Sequence, residues 1–194
     1  MKELEKLANI INQSDNIVFL GGAGVSTDSG IRDFRGKNGL YKEAVANDPN
    51  HSPEYLLSSG CLYNEPKKFF DNYRKNLDIR EAEPNITHLY LKKLEDMGKL
   101  KAVVTQNIDG LHQKAGSKTV YEIHGTMSRC HCDECGKKYP GDIVFKTTGV
   151  PECKCGGMIR PDVVLYGEFL PEDYDRASYA ILKAEVLIVA GTSL

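Results

Sequence analysis

Apolar residues recur at helical spacing over the first dozen positions. Leu4, Leu7, Ala8, Ile10 and Ile11 fall on one stripe, which predicts an amphipathic helix. The pattern then changes period. Residues 16–20 include the run Ile17-Val18-Phe19-Leu20, read as a short buried strand that leads into Gly21-Gly22-Ala23-Gly24. Residues 36–80 are polar, aromatic and helix-prone, with Pro53 and Pro66 placed as helix starts. Pro84 is read as opening another helix, with Leu89, Leu91, Leu94 and Met97 as its apolar surface and Gly98 as its stop. Residues 101–105 and 119–123 read as buried strands, and Val163-Val164-Leu165-Tyr166 as strand-like. A helix is expected over roughly 171–184, then a buried strand over 185–190. Strands that alternate with helices predict an α/β fold, a parallel sheet covered on both faces. Gly191-Thr192-Ser193-Leu194 follows the last strand, where such a fold turns into a further helix, so the sheet is expected to be incomplete. No internal repeat or low-complexity tract interrupts the pattern.

Composition narrows the function classes. An apolar fraction of 41% and a charged fraction of 27% are those of an ordinary globular chain. A net charge of −2 gives no argument for nucleic acid or an anionic membrane as a partner, and neither is expected. No apolar run approaches the ~20 residues of a membrane span. The charged start, Met1 to Lys6, reads as helix and not as an export signal. Six cysteines in such a chain point to a reducing, cytoplasmic setting and to metal, not disulfides.

Residues 128–160 have little apolar content but hold two cysteine pairs, Cys132/Cys135 and Cys153/Cys155, each followed by glycine. This is the pattern of a closed tetrahedral zinc site that replaces a core. Cys130 and His131 lie beside the first pair and are weaker alternative ligands, because the C-x-x-C loop has the better geometry. Four thiolates leave no open position, so the metal is expected to be structural.

Other candidates stand at strand ends. Gly22-Ala23-Gly24 after a strand suits a pyrophosphate at a helix N-terminus, although Thr27 replaces the third glycine of the full dinucleotide pattern. Asp33, Phe34 and Arg35 follow, able to pair with phosphate or cover a ring, although composition alone favours a solvated loop. Thr105-Gln106-Asn107-Ile108-Asp109-Gly110 leaves the edge where open α/β sheets bind ligands, and the same residues also favour a plain turn. His124, between Ile123 and Gly125, could serve as a general base or as a structural imidazole.

In this order the pieces resemble the sirtuins, NAD-dependent protein-lysine deacylases. The matching stretches are Gly22 to Ser26, Ser29-Gly30-Ile31, Asp33-Phe34-Arg35-Gly36, Thr105 to Asp109, His124-Gly125, both cysteine pairs, Arg160 to Val164 with Gly167-Glu168, and Gly191-Thr192-Ser193. The resemblance implies a Rossmann-like NAD-binding domain over 1–35, 81–127 and 161–194, a helical part of a small lobe over 36–80, and a zinc module over 128–160. It implies that Gly22, Ala23, Gly24, Thr27, Asp33, Phe34, Arg35 and Gln106 bind NAD. Asn107, Ile108 and Asp109 would hold its nicotinamide end, and Gly191, Thr192 and Ser193 would touch it from across the sheet. His124 would be the base, with Asn107 beside the chemistry. Val164, Gly167 and Glu168 would flank an acetylated-lysine peptide. The implied products are free lysine, nicotinamide and O-acetyl-ADP-ribose.

Three departures matter. Arg32 stands where the family usually has proline, and the second cysteine pair is one residue shorter than usual. Members that prefer succinyl or malonyl groups carry a Tyr-x-x-Arg pair where this chain has Phe70 and Tyr73, with Arg74 adjacent. Deacetylation is therefore expected over desuccinylation, demalonylation or ADP-ribosyl transfer. A Rossmann dehydrogenase would want glycine at Thr27 and an acidic ribose anchor about 20 residues on, for which Glu43 and Asp48 are weak candidates. A non-enzymatic zinc ribbon would leave His124 and Asn107 without a purpose.

Overall fold

A computed structural model describes residues 2–34, 36, 39–41 and 51–193. The chain divides into two compact units, each discontinuous in sequence. The first comprises Met1–Ile31, Ala82–Ile123 and Leu170–Leu194; the second comprises Arg32–Glu81 and His124–Phe169.

The first unit is built on a parallel sheet of order β3-β2-β1-β7, with β1 at Ile17–Gly21, β2 at Leu100–Thr105, β3 at Val120–Glu122 and β7 at Val186–Ala190. The period-2 alternation of β1 explains its two faces. Ile17 and Phe19 pack with Leu91, Leu94 and Val103 on one side. Val18 packs with Ala102, Val104 and Ala177 on the other. Leu91 and Leu94 come from the helix Ile86–Asp96 (α5), and Ala177 from the helix Asp173–Lys183 (α8). Helices thus cover both faces, as expected for a parallel sheet.

Several boundaries differ from the sequence reading. The helix after Pro84 starts at Ile86, because Asn85 caps it: its side chain accepts from the Thr87 N–H at 2.9 Å. Leu89 and Met97 are exposed, so Leu91 and Leu94 supply its apolar inner face, with His88 buried beside them. The turn after β1 is a 3-10 helix, Ala23–Ser29, ended by Gly30 at φ 82°. A short helix at Leu111–Lys114 (α6) was not legible in the pattern. The strand placed at 163–166 is earlier, at Ile159–Val163 (β6). The expected buried strand at 185–190 is an edge, paired with β1 alone among the described residues. Its Leu187 and Val189 are each 40% exposed, because α8 packs on β2 and β3 and leaves them uncovered. The N-terminal helix Lys2–Gln13 (α1) buries no residue. No described helix is long and apolar enough to cross a membrane.

The second unit combines a helical part with a small antiparallel sheet. Its helices are Pro53–Leu56 (α2), Ser59–Asn64 (α3), Pro66–Leu77 (α4) and Ile143–Lys146 (α7). Both prolines sit at first-turn positions, where their missing N–H costs nothing. Phe69, Phe70 and Tyr73 are buried, and Phe69 meets Phe70 edge-on at 5.3 Å. The small sheet has the order β5-β4-β6, with β4 at Gly125–Cys132 and β5 at Lys138–Pro140.

Candidate functional site

In the first unit the glycine turn is shaped by the chain's own backbone. The N–H groups of Gly22 and Gly24 donate to Ala190 O at 3.2 Å and Gly191 O at 2.9 Å. A Cβ on Gly24 would lie 2.8 Å from Gly191 Cα, and one on Gly22 would lie 2.7 Å from Gln106 Oε1. Both glycines are therefore demanded by close packing. Gly191 and Thr192 are brought to this turn by β7, and Thr192 Oγ1 donates to Gln106 Oε1 at 3.0 Å. Thr27 Oγ1 donates to Gly24 O at 3.0 Å, and Ala23 opens the 3-10 helix.

Beneath the turn lies a polar knot that the sequence reading only half found. Ser26, 1% exposed, donates its hydroxyl to Asp109 Oδ2 at 2.6 Å and accepts from Asn107 Nδ2 at 3.0 Å. Asp109 Oδ1 accepts from the Leu111 N–H at 2.9 Å, so the carboxylate also caps the start of α6. Asn107 N–H donates to Thr105 Oγ1 at 3.0 Å. Ile108 lies between these two anchors. Ser26 stands in the matching Gly22–Ser26 stretch, but the sequence reading assigned it no role of its own.

Two imidazoles lie nearby in the same unit. His88 and His112 are fully buried, with ring centroids 4.6 Å apart. His88 Nδ1 accepts from the Asn85 N–H at 3.2 Å, which puts its proton on Nε2. That Nε2 and both nitrogens of His112 have no hydrogen-bond partner among the described residues. Burial, followed by the neighbouring His88, pushes the pKa of His112 down to about 3.

In the second unit His124 is half-buried, and its carbonyl accepts from the Val164 N–H at 2.9 Å. The candidate base and the candidate substrate segment are thereby tied backbone to backbone. Gly125 makes this possible: at φ 76° it leaves its Cβ position 2.1 Å from Asp162 O. The segment after Val164 is pinned too. Tyr166 N donates to Leu57 O and Ser59 N to Tyr166 O, each at 3.1 Å. Gly167 turns the chain at φ 91°. Glu168 points inward. Its carboxylate accepts two bonds from Arg160, at 2.6 and 2.9 Å, and one from Leu165 N–H at 2.9 Å. Burial would raise this carboxyl, but Arg160 and the Leu165 N–H hold it below the usual carboxylate range.

Asp33 and Phe34 also belong to this unit. Asp33 Oδ1 accepts from Gly36 N–H at 2.9 Å, and the Phe34 ring meets Tyr41 edge-on at 5.5 Å. Arg35 lies outside the described residues.

The four cysteines converge. The sulfurs of Cys132, Cys135, Cys153 and Cys155 all lie within 4.8 Å of one another, with Cys132–Cys155 at 3.5 Å and Cys135–Cys153 at 3.7 Å. Tetrahedral zinc with Zn–S of ~2.3 Å sets its sulfurs about 3.8 Å apart, so the donor set fits the metal. Gly136 and Gly156 turn the two knuckles at φ 68° and 89°. The backbone N–H of Cys155 and the Tyr139 hydroxyl bring Cys153 down to about 6. Cys155, although the Gly157 N–H favours its thiolate, is pushed up to about 12 by its sulfur neighbours. Cys153 and Cys155 are thus pushed in opposite directions, and a divalent cation would let both ionise. The two alternative ligands are engaged elsewhere. Burial pushes the Cys130 thiol up to about 12, which keeps it neutral. His131 Nδ1 pairs with Asp162 Oδ1 at 2.5 Å.

Comparison with known proteins gives these sites a context. The model of the Sir2 family matches residues 22–194. The chain is 50% identical to an NAD-dependent protein deacetylase of Clostridium perfringens, over 99% of this chain and 79% of that protein. It is 49% identical to one from Cutibacterium acnes, over 98% and 78%. Among solved structures, a Sir2 histidine-to-alanine form with a deacetylated p53 peptide and 3′-O-acetyl ADP-ribose superposes with a TM-score of 0.88. It is 38% identical over 98% of this chain and 76% of that one. Sir2Tm bound to a propionylated peptide gives a TM-score of 0.83 at 36% identity, over 98% and 76%. On these matches the chain belongs to the Sir2 family.

Proposed function

We propose that this chain removes acetyl groups from protein lysines and transfers them to the ADP-ribose part of NAD. The observation that carries the reading is the part-buried knot of Ser26, Asn107 and Asp109. It gathers polar groups at the C-terminal edge of β1 and β2, where open parallel sheets bind nucleotides. Gln106 would contact ribose, with Ala23, Thr27, Phe34, Arg35, Thr192 and Ser193 completing the NAD contacts. Asn107, Ile108 and Asp109 would hold the nicotinamide end.

The acetyl oxygen bonds to C1′ of the ribose as nicotinamide departs. His124 then accepts the proton of a ribose hydroxyl, so that its oxygen can attack the acetyl carbon. One water is consumed, and lysine and O-acetyl-ADP-ribose are released. The Val164–Glu168 segment, pinned through its backbone, would pair with an acetyl-lysine peptide in an extended form. Zinc, held by Cys132, Cys135, Cys153 and Cys155, would lend the small sheet its stability and take no part in the reaction. Four reactive thiols suit a reducing, cytoplasmic setting.

Acetyl over succinyl follows from Arg74. Its guanidinium donates to Val144 O at 2.7 Å and to Gly149 O, and lies 5.6 Å from the Phe70 ring centroid. A cation committed to two carbonyls, with Asp71 Oδ1 3.5 Å away, is poorly placed to receive the carboxylate of a succinyl group. The test is an acetylated peptide incubated with and without NAD, read by nicotinamide release and lysine mass. We expect NAD-dependent release, little turnover of a succinylated peptide, and at least a ~100-fold fall in His124→Ala with zinc content unchanged. Activity surviving in that variant, or release indifferent to the peptide, would remove the reading.

A further inference from the structure

We propose that Asn85 is a positioning residue for NAD: it braces the turn that carries Ala23 and Thr27 and touches neither substrate. This rests on the assignment of that turn to NAD. A 3-10 helix has weak internal hydrogen bonds and depends on outside partners for its shape. On one side Ala23–Ser29 is held by Gly191 and by the Ser26 knot. On the other side the bonds come from Asn85. Its Nδ2 donates to Val25 O at 2.8 Å and to Ser29 Oγ at 3.0 Å, using both amide hydrogens. Its Oδ1 accepts from Thr87 N–H at 2.9 Å and so caps α5. One amide thus joins the turn to a helix whose Leu91 and Leu94 are fixed in the core. The capping function alone requires only an oxygen. The choice of an amide, with two donors aimed at a turn 56 and 60 residues away in sequence, is what capping leaves unexplained.

Asn85→Ser separates the two tasks. Serine caps a helix as well as asparagine does, but it is too short to reach Val25 O. In the full chain with zinc bound, we expect the KM for NAD to rise about tenfold, from two lost hydrogen bonds. The KM for acetyl-peptide should stay near its wild-type value, and the melting temperature should fall by only a few degrees. Ser29→Ala removes one acceptor and should raise the NAD KM about threefold. An NAD KM within twofold of wild type in a folded Asn85→Ser protein overturns the brace, as does an equal rise in both KM values. If Asn85→Ser does not fold, an unchanged NAD KM in Ser29→Ala overturns it instead. A wild-type chain without NAD-dependent nicotinamide release overturns the assignment of the turn, and the brace with it.

Discussion

Gly125 and Gly98 have almost the same φ, 76° and 73°, yet they answer to different constraints. Around Gly98 a Cβ would meet nothing within 4 Å, so Gly98→Ala should cost only the left-handed penalty, about 1 kcal/mol. At Gly125 the same Cβ would sit 2.1 Å from Asp162 O and 2.9 Å from Val163 Cα. The strand must move, and the His124–Val164 bond moves with it. Gly125→Ala should therefore cost more than about 3 kcal/mol and lower deacetylation beyond its effect on folding. Thermal melts of the two variants check this, and equal shifts would show that space at Gly125 does not matter. The same contrast separates the site residues the sequence disclosed from those it hid. His124, Asn107 and Asp109 were legible as candidates because they follow strand ends, where ligands gather in parallel sheets. Ser26 and Asn85 were not, because their roles come from partners 81 to 83 and 56 to 60 residues away. Asn85 did carry a local signal, a capping residue three positions before His88, but that spacing speaks of a helix start and not of the turn it braces. Arg74 shows the reverse case. Sequence placed a cation near the acyl-selecting position, and only its two carbonyl partners reveal that it is already engaged.

Where α5 meets α6, two helices bring an imidazole each into one apolar space. His88 and His112 are both held below the ordinary value of 6.5, His112 at about 3, by burial first. Asp109 favours the charged form of His88, while His88 disfavours that of His112. Below pH 6.5 the unfolded chain therefore binds more protons than the folded one, so stability rises with pH and drains away as pH falls from about 6.5 towards about 3. Between pH 7 and pH 5 His112 alone should remove about 2 kcal/mol. His112→Leu should flatten the profile by that amount, while thiolate protonation at the zinc site contributes equally to both proteins and cancels. Parallel profiles from urea melts at the two pH values would mean that His112 charges freely in the fold. Elements of this kind also mark what the pattern could convey. β1 and β2 were read nearly to the residue, since an apolar run bounded by glycine or polar residues has few alternatives in an α/β chain. α6 was missed because four residues are too few for a helical period to register. The strand at 185–190 was expected to be buried because five apolar residues in succession look alike at the centre and at the edge of a sheet. Only the placement of α8 over β2 and β3 decides that Leu187 and Val189 remain open.

Each of the two units is stabilised internally by different means, and zinc removal should expose the difference. In the first unit Ile17, Val18, Phe19, Val103 and Val104 are at most 2% exposed, and apolar burial of this kind stands without metal. The β5-β4-β6 sheet is stitched at its knuckles by short local bonds. Cys132 N–H donates to Lys137 O, Gly136 N–H to Cys132 O and Cys153 N–H to Gly157 O, at 2.8 to 2.9 Å. Those loops close around sulfurs, and a structural zinc of this class is worth ~10–16 kcal/mol to the peptide that binds it. Hydrogen exchange on the whole chain, with and without a chelator, reads the two regions at once. We expect one zinc per chain at the start. On chelation the amides of Cys132, Gly136, Cys153 and Gly156 should lose protection, while those of Phe19 and Val103 keep most of theirs. Deacetylation should fall together with the first group, because β6 leads directly into the pinned Val164–Glu168 segment. If the β1 and β2 amides open in step with the knuckles, the two units unfold as one and the metal supports the entire chain. If the knuckles stay protected after the metal is gone, the thiols are not what holds the small sheet.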